Sequence, residues 1–343
     1  MSNDGFQGVI GNTVPESTPH WPQRSRPPEG APNVVFIVLD DTGFAHLGCY
    51  GSDIETPNMD GLAAGGLRYN NFHTTALCSP TRACLLTGRN HHSVGVGRIT
   101  EITSGFPGYY GQITDRAATL AEILRSHGYN TIACGKWHLL PNAHTSPAGP
   151  FDQWPLGRGF EHYYGFLGGE TDQWRPDLVA GNERILPPDR PDYHLTEDLV
   201  DHAIGFVKDQ KSMAPNTPFF LYLAFGATHA PHHAPKEYIE KYRGRFDDGW
   251  DAARDRIFAR QKQMGVVPPD TQLAPRNDGV KAWADLTDDE RRLFARMQEV
   301  FAGFLTHTDE HIGRLIDFLE GMGQLENTLL VLISDNGASQ EGG

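Results

Sequence analysis

The sequence predicts an α/β fold in which a central β-sheet is covered by helices on both faces. Three largely apolar runs of strand length, at 33–39, 218–225 and 327–333, carry this prediction. Strands that are apolar at nearly every position are typical of sheets buried on both faces. Segments with helical spacing alternate with these runs. Polar residues gather where the strands end, and open α/β sheets place their sites there.

The elements follow in order along the chain. Residues 1–32 are rich in proline and polar residues and are expected to form an extended N-terminal arm. The first strand, 33–41, ends in two carboxylates. A helix within 57–69 is stopped by glycines, and the next segment, 68–75 (RYNNFHTT), is expected to be a short strand that leads to Cys78.

The next helix is expected from about Ser79 to Thr87, with Pro80 at its first position and Gly88 closing it. The rest of the predicted order is helix 118–128, strand and loop 129–138, helix 195–210, strand and loop 218–235, helix 284–322 and strand 327–337. The last of these strands is long and apolar, so it is predicted to lie in the centre of the sheet.

Composition disfavours several classes of partner. The chain has 343 residues and a formal net charge of −14, which argues against nucleic acid and anionic membranes as partners. The same charge would repel an anionic substrate, so a site for one needs local positive charge or a metal ion. No apolar core of signal-peptide length and no run of about 18 apolar residues is found, so a cytoplasmic location is expected.

Cys78 differs in its setting from the other cysteines, at 49, 84 and 134. It stands before Ser-Pro-Thr-Arg at a predicted helix N-terminus, whose free N–H groups and partial positive charge suit an oxyanion. Arg82 adds a fixed cation. The alternative for Cys78 is an inert buried thiol, which is the expectation for the other three. No CxxC pair occurs, so neither a zinc cage nor a redox pair is expected.

Carboxylates and an amide follow two of the apolar strands. Asp40 and Asp41 end the first strand, and Asp335 and Asn336 end the last one. Acids at strand ends often only mark turns, and this alternative stays open. Two such pairs at neighbouring strand ends would repel one another unless a cation lay between them. Three carboxylates and an amide oxygen are hard ligands, which favour Ca²⁺ or Mg²⁺ over zinc.

Basic residues follow two other strands. Lys136 and His138 lie two positions apart in CGKWHL, and His229 opens the loop HAPHHAP. A lysine and histidines in loops after strands are consistent with a basic anion pocket. A single loop histidine is more often a surface group, and the sequence alone does not show that these residues converge.

Four segments resemble the signatures of the sulfatase family. LCSPTRACLLTG (77–88) resembles the signature built on Cys-x-Pro-x-Arg, whose cysteine is oxidised after translation to Cα-formylglycine. GYNTIACGKWH (128–138) resembles the second signature, and VLDDTGF (38–44) and SDNGAS (334–339) resemble the metal-binding strand ends. The likeness runs from about Asn33 to the last residue. It implies an alkaline-phosphatase/sulfatase-like fold with a large mixed, mostly parallel sheet.

The resemblance also implies roles for matching residues. Cys78, as formylglycine hydrate, would be the nucleophile, and the hydrate would be formed by a formylglycine-generating maturation enzyme. One divalent cation, Ca²⁺ with Mg²⁺ as the alternative, would be held by a hydrate oxygen and by Asp40, Asp41, Asp335 and Asn336.

Four basic residues have implied roles at the sulfate group. Arg82 would orient the hydrate, and Lys136 would contact hydrate and sulfate. His138 would help to remove a proton when the sulfated intermediate collapses, and His229 would assist the leaving alcohol. The implied reaction is arylsulfatase-like hydrolysis of a small-molecule sulfate ester to an alcohol or phenol and sulfate.

Two alternatives remain open at this stage. Other esterases of the same superfamily cleave phosphonate monoesters or phosphodiesters and can carry Cys-x-Pro-x-Arg, but they tend to place histidine where this chain has Asn336. A protein that binds an anion or metal without catalysis is the second alternative.

Relatives continue beyond their Asp-Asn-Gly strand, so residues 33–343 are expected to be a catalytic domain that lacks its C-terminal part. An inactive fragment and an exposed apolar patch or unpaired sheet edge near Gly343 are the corresponding expectations.

Overall fold

This computed structural model describes residues 5–22 and 25–339, and its centre is a seven-stranded sheet. The strands are β1 (Asn33–Leu39), β2 (Asn130–Lys136), β3 (His162–Phe166), β4 (Leu178–Ala180), β5 (Glu183–Ile185), β6 (Phe219–Ala224) and β7 (Thr328–Ser334). Their order is β5-β4-β3-β2-β6-β1-β7. All pairs from β3 to β7 are parallel, and β4 and β5 add two antiparallel pairs at one edge. The predicted mixed, mostly parallel α/β sheet is confirmed.

Helices lie on both faces of this sheet. The α-helices of the described residues are α1 (Pro57–Gly65), α2 (Cys78–Thr87), α3 (Leu120–Ser126), α4 (Leu195–Met213), α5 (Lys236–Glu240), α6 (Gly249–Gln263) and α7 (Asp288–Gly321). Val35 and Ile37 of β1 belong to the apolar core that contains α4 and α7, whereas Val38 belongs to a second core with α2 and α3. Because successive strand residues face opposite sides, the strand must be apolar at every position.

Helix α2 begins one residue earlier than the sequence predicts. It starts at Cys78 with Leu77 as N-cap, so Pro80 is its third residue rather than its first. Proline fits there because the first N–H groups of a helix have no acceptor within the helix. Gly88 ends the helix as predicted, with a left-handed φ of 64° and an N–H that bonds the Cys84 carbonyl oxygen at 2.8 Å.

Segment 68–75 is not a strand, which corrects the prediction. Its side chains Tyr69 and Phe72 are 62 % and 58 % exposed, and no described strand pairs with it. An extended segment needs a partner for its backbone groups, and a local pattern does not supply one. The segment is instead tied to the fold by single bonds, such as the one from the Tyr50 hydroxyl to the Tyr69 carbonyl oxygen at 2.7 Å.

Strand β7 lies at an edge of the sheet, which corrects its predicted central position. β1 pairs along one side of β7, and no strand of the described residues pairs along the other. An apolar strand sequence indicates that both faces of the strand are covered, but it does not indicate whether a neighbouring strand pairs along each of its two sides. The separate expectation of an unpaired sheet edge in this region is confirmed, and Leu329 on β7 is 55 % exposed. Residues 340–343 lie outside the described residues.

The expected arm at 1–32 contains little regular structure where it is described. It holds one 3-10 helix, Val14–Glu16, and one β-bridge between Val9 and Thr18. Residues 1–4, 23 and 24 lie outside the description. The division into an arm and a catalytic domain stays a prediction. Within the described ranges, no helix combines the length and apolarity needed to cross a membrane.

Candidate active site

Three parallel strands bring polar residues to the carboxyl end of the sheet, where the parallel strands finish. The register pairs Leu39 of β1 with Ser334 of β7, so the residues that follow them, Asp40 and Asp335, lie side by side. The Asp335 N–H bonds the Leu39 carbonyl oxygen at 3.0 Å and holds these ends together. Lys136 is the last residue of β2. It lies at the same end of the sheet, because β6 lies between β1 and β2 and is parallel to both. The carboxyl end of the strands is where open α/β sheets place their sites.

Asp40, Asp41 and Asp335 form a buried carboxylate cluster. One oxygen of each lies within 4.8 Å of the other two. Asp40 and Asp335 are fully buried, and Oδ1 of each has no hydrogen-bond partner in the described part of the chain. Asn336 reaches the cluster through its amide nitrogen, which donates to Asp41 Oδ1 at 2.6 Å. Buried oxygens without donors, grouped at this spacing, fit a hard divalent cation.

Two buried cations offset most of this negative charge. Arg82 donates from Nε to Asp335 Oδ2 at 2.9 Å, and its Nη2 lies 2.7 Å from the same oxygen. Lys136 Nζ donates to Asp40 Oδ2 at 2.6 Å. Arg82 also donates to the Lys136 carbonyl oxygen at 3.1 Å and to the Tyr222 hydroxyl at 3.4 Å. Three carboxylates against two cations leave a negative site, which again suits a metal ion.

Burial and charge act differently on the two central carboxylates. Burial raises the pKa of Asp40 to about 7, and the charge of Asp335 adds to the rise, against Lys136 and Arg82. Burial also acts to raise the pKa of Asp335, but Arg82 and Lys136 outweigh it and hold that pKa below its usual value. A cation between the two carboxylates would remove the like-charge cost of ionising both.

Two site residues have a left-handed backbone. Asp41 and His138, with φ of 55° and 54°, are the non-glycine residues in this conformation within the described ranges. A non-glycine residue in this region costs of order 1–3 kcal/mol and persists where the surrounding structure imposes it. Each lies two positions beyond the last residue of a site strand. The chain therefore turns sharply at both places, and the His138 N–H is held by the Leu167 carbonyl oxygen at 3.1 Å.

Cys78 lies beside this cluster in the first turn of α2. The residue is 7 % exposed, and its Sγ lies 3.1 Å from Nδ1 of His138. Burial raises the pKa of the thiol to about 11, although Lys136 opposes the rise. A thiol that stays protonated at neutral pH is a weak nucleophile. Cys78 as encoded is therefore not an activated cysteine, in spite of its position at a helix N-terminus.

Glu101 is a site residue that the sequence does not indicate. Both of its carboxylate oxygens lie 2.8 Å from Nε2 of His138. It belongs to the 3-10 helix Thr100–Ile102 and is 37 positions from His138, so no local spacing connects the two. Burial lowers the pKa of His138 to about 4, although the bond to Glu101 opposes this, so the imidazole is neutral at pH 7.

His229 completes the set of predicted basic residues. Its Nε2 lies 3.8 Å from Asp41 Oδ2, and its Nδ1 is 2.6 Å from the Ala230 carbonyl oxygen. Of the other cysteines, Cys49 and Cys134 lie in the larger apolar core. The fold therefore groups the predicted chemical residues around the carboxylate cluster: Cys78, Arg82, Lys136, His138 and His229. Their roles stay predictions.

A mostly parallel α/β sheet with a carboxylate cluster beside a helix N-terminus is the architecture of the alkaline-phosphatase superfamily. Within that class, the chain belongs to the sulfatase family, since the family model Sulfatase matches residues 32–343.

Relatives of known sequence support this assignment. An uncharacterized sulfatase of Schizosaccharomyces pombe is 38 % identical over 327 residues, which cover 90 % of this chain and 58 % of that protein. The arylsulfatase of Klebsiella aerogenes is 33 % identical over 324 residues, which cover 90 % of this chain and 66 % of that protein. The chain thus spans roughly three fifths of the length of these relatives.

Solved structures agree at the level of the fold. The crystal structure of Ps i-CgsB in complex with k-i-k-neocarrahexaose aligns with a TM-score of 0.64 and 26 % identity, covering 90 % of this chain and 59 % of that one. The phosphonate monoester hydrolase of Agrobacterium radiobacter aligns with a TM-score of 0.56 and 22 % identity, covering 89 % and 62 %. The second likeness shows a shared fold alone.

Calcium is expected to bind at the carboxylate cluster and to stabilise the folded protein. At free Ca²⁺ about 100 times Kd, binding to the folded state alone would add about 2.7 kcal/mol to the free energy of unfolding. Asp41→Asn removes the charge of one expected ligand and should weaken Ca²⁺ affinity by about 100-fold in isothermal titration. Asp115→Asn, at an exposed carboxylate, is the matched control. Equal affinities in the two variants would contradict a site at this cluster.

Proposed function

We propose that this protein hydrolyses sulfate esters and that its site is of the arylsulfatase type. The observation that carries the proposal is the setting of Cys78, whose thiol contacts His138 and lies within the field of four buried charges: Asp40, Asp335, Lys136 and Arg82. A nucleophile that lies beside cations and beside hard metal ligands is suited to the transfer of an anionic group such as sulfate. Membership of the sulfatase family and the 33 % identity to an arylsulfatase support it.

Residue 78 is proposed to act as Cα-formylglycine and not as a thiol. Its raised pKa makes the encoded thiol a weak nucleophile, and the sequence Cys-Ser-Pro-Thr-Arg supports recognition by a formylglycine-generating enzyme. Once hydrated, the aldehyde supplies two hydroxyl groups, one for attack on sulfur and one whose loss of a proton releases sulfate. Because Cys78 is 7 % exposed, its conversion is expected before folding is complete.

A divalent cation, Ca²⁺ with Mg²⁺ as the alternative, would be held by the side chain at position 78 and by Asp40, Asp41, Asp335 and Asn336. The close spacing of Asp40, Asp41 and Asp335, and the buried oxygens of Asp40 and Asp335 without partners in the described residues, support the carboxylate part of this ligand set. When bound, the ion would supply Lewis-acid stabilisation of negative charge on the sulfate oxygens.

The protein's own side chains supply the remaining chemistry. Burial acts to lower the pKa of Lys136, but the negative groups around it, Asp40 first and Asp335 among them, together raise it, so the ammonium stays charged and can stabilise a sulfate oxygen. Neutral His138 presents Nδ1 to position 78, where it can accept a proton. His229, beside Asp41, is proposed to donate a proton to the leaving alcohol.

Hydrolysis of phosphonate monoesters or phosphodiesters is the principal alternative. The chain shares its fold with a phosphonate monoester hydrolase, a likeness that does not separate the two reactions, whereas Asn336, at a position where such esterases tend to carry histidine, favours sulfate ester hydrolysis. A protein that binds an anion or metal ion at this site without catalysis is the second alternative.

The test begins with the mass of the peptide that contains residue 78. After coexpression with a formylglycine-generating enzyme, the peptide should be about 18 Da lighter than encoded, since sulfur is exchanged for oxygen and two hydrogens are lost. With Ca²⁺ bound, kcat/KM on a chromogenic aryl sulfate should exceed that on the matched phosphonate monoester and phosphodiester by at least about 100-fold. Faster cleavage of either phosphorus ester would assign the alternative. No turnover by fully converted protein on any of these esters would reject the proposed function and favour binding without catalysis.

A further inference from the structure

Glu101 determines which nitrogen of His138 carries the proton. An ionised carboxylate only accepts hydrogen bonds, so the 2.8 Å contacts of Glu101 require a hydrogen on Nε2. In a neutral imidazole the other nitrogen then has no hydrogen. Nδ1 of His138 is therefore an acceptor, and it faces Cys78 Sγ at 3.1 Å. In the unmodified protein the thiol of Cys78 can donate to this nitrogen, and an O–H group at residue 78 would be expected to donate to it in the same way.

The imidazole is confined as well as bonded. A Cβ atom at Gly169 would lie 2.9 Å from Cε1 and 3.0 Å from Nε2 of His138, and 3.3 Å from Oε1 of Glu101. Only glycine leaves the ring and the carboxylate room to meet in this arrangement. His138 is also held in a left-handed conformation, with φ of 54°. Backbone, packing and hydrogen bond thus impose one orientation on the ring.

We propose that Glu101 is a positioning residue that keeps Nδ1 of His138 free to accept a proton from the side chain at position 78. The inference rests on the proposed function, in which that side chain carries O–H groups. The proton passes from an O–H group to Nδ1, while Glu101 remains ionised and stabilises the imidazolium through its Nε2–H. A carboxylate that orients a histidine in a catalytic triad acts in the same way.

The competing reading is that Glu101 only anchors the loop that carries it. A test therefore needs a readout that loop stability would not move. The Glu101 side chain is 33 % exposed, so its removal would leave a space that a small carboxylate can enter from solvent. Glu326 is a matched control, because it is an exposed glutamate in the middle of another 3-10 helix, Leu325–Asn327, and makes no side-chain hydrogen bond among the described residues.

The first experiment needs neither metal nor activity. Ring ¹⁵N spectra of histidine-labelled, unconverted protein are recorded at neutral pH, and the His138 signals are assigned by their loss in His138→Gln. We expect a protonated Nε2 and a bare Nδ1 in wild type and in Glu326→Ala, and a mixture of both tautomers in Glu101→Ala. A proton on Nδ1 in wild type, or an unchanged tautomer in Glu101→Ala, would overturn the proposal.

The second experiment uses converted, Ca²⁺-loaded protein and an aryl sulfate. Glu101→Ala should lower kcat by about 100-fold, with KM within about threefold of wild type, because Glu101 supports proton transfer and does not contact substrate. Added formate should restore at least about tenfold of the lost kcat in Glu101→Ala and none in His138→Gln. A loss that formate does not restore, or a rise in KM alone, would count against positioning. Absence of turnover in wild type would reject the proposed function, and the ring spectra would still decide the role of Glu101.

Discussion

Cys78→Ala is expected to abolish sulfate ester hydrolysis, with kcat/KM falling by about 10⁴-fold or more. The surrounding cations could still bind a sulfate group, but no other side chain among the described site residues is placed to form the covalent bond to sulfur. Loss of one small buried atom costs only about 1 kcal/mol of stability, so the variant should fold. The measurement is the initial rate on an aryl sulfate with Ca²⁺ present, alongside circular dichroism.

Two further variants sharpen this result. Cys78→Ser keeps one hydroxyl near His138, yet it should not turn over, because a single hydroxyl can attack sulfur but cannot then re-form a carbonyl to release sulfate. Cys84→Ala changes a half-buried thiol of the same helix and should keep kcat/KM within about twofold of wild type. If Cys78→Ala retained more than about 1 % of kcat/KM, the nucleophile would have to lie elsewhere.

The carboxylate cluster could be predicted from the sequence because it follows from strand geometry. Asp40 and Asp335 come directly after apolar strands, and parallel strands end at one edge of a sheet, so neighbouring strands must bring such residues together. Lys136 could be placed at the same edge by the same reasoning. The position of each residue at the end of its own strand places it at this end of the sheet, but the sequence alone does not show which strands are neighbours or that the residues converge.

Glu101 and the edge position of β7 could not be predicted, because both depend on contacts between distant parts of the chain. Glu101 meets His138 through the path of a loop without repeating pattern. The neighbours of β7 depend on the order of the strands in the sheet, and the apolar residues of β7 do not indicate that order. Tyr222 is a third case, since its hydroxyl reaches Arg82 from a strand that the sequence marks only as apolar.

Arg82 is expected to matter for stability as much as for turnover. The sequence indicates Arg82 as a fixed cation beside an oxyanion site, but the structure shows its Nε and Nη2 on Asp335 Oδ2, with Asp40 Oδ2 at 3.9 Å from Nη2. The guanidinium and both carboxylates have no solvent exposure. Removal of one partner from a buried ion pair leaves an uncompensated charge and typically costs about 3–5 kcal/mol. We expect a loss of that size for Arg82→Ala in metal-free protein.

Urea unfolding with and without Ca²⁺ separates this role from others. A bound cation would supply positive charge to the same carboxylates, so saturating Ca²⁺ should reduce the stability difference between Arg82→Ala and wild type. Arg82→Lys keeps the charge but not the two-nitrogen contact with Asp335, and its loss should be intermediate. Arg125→Ala, at an exposed arginine of α3, is the control and should change the free energy of unfolding by less than about 0.5 kcal/mol.

Where Arg82→Ala is folded and Ca²⁺-bound, kcat should still fall by about 10³-fold, because the field at the sulfate group has lost a fixed cation. Wild-type stability in the metal-free variant would show that Arg82 is not the counter-ion of the cluster, and near-normal kcat would remove it from the reaction.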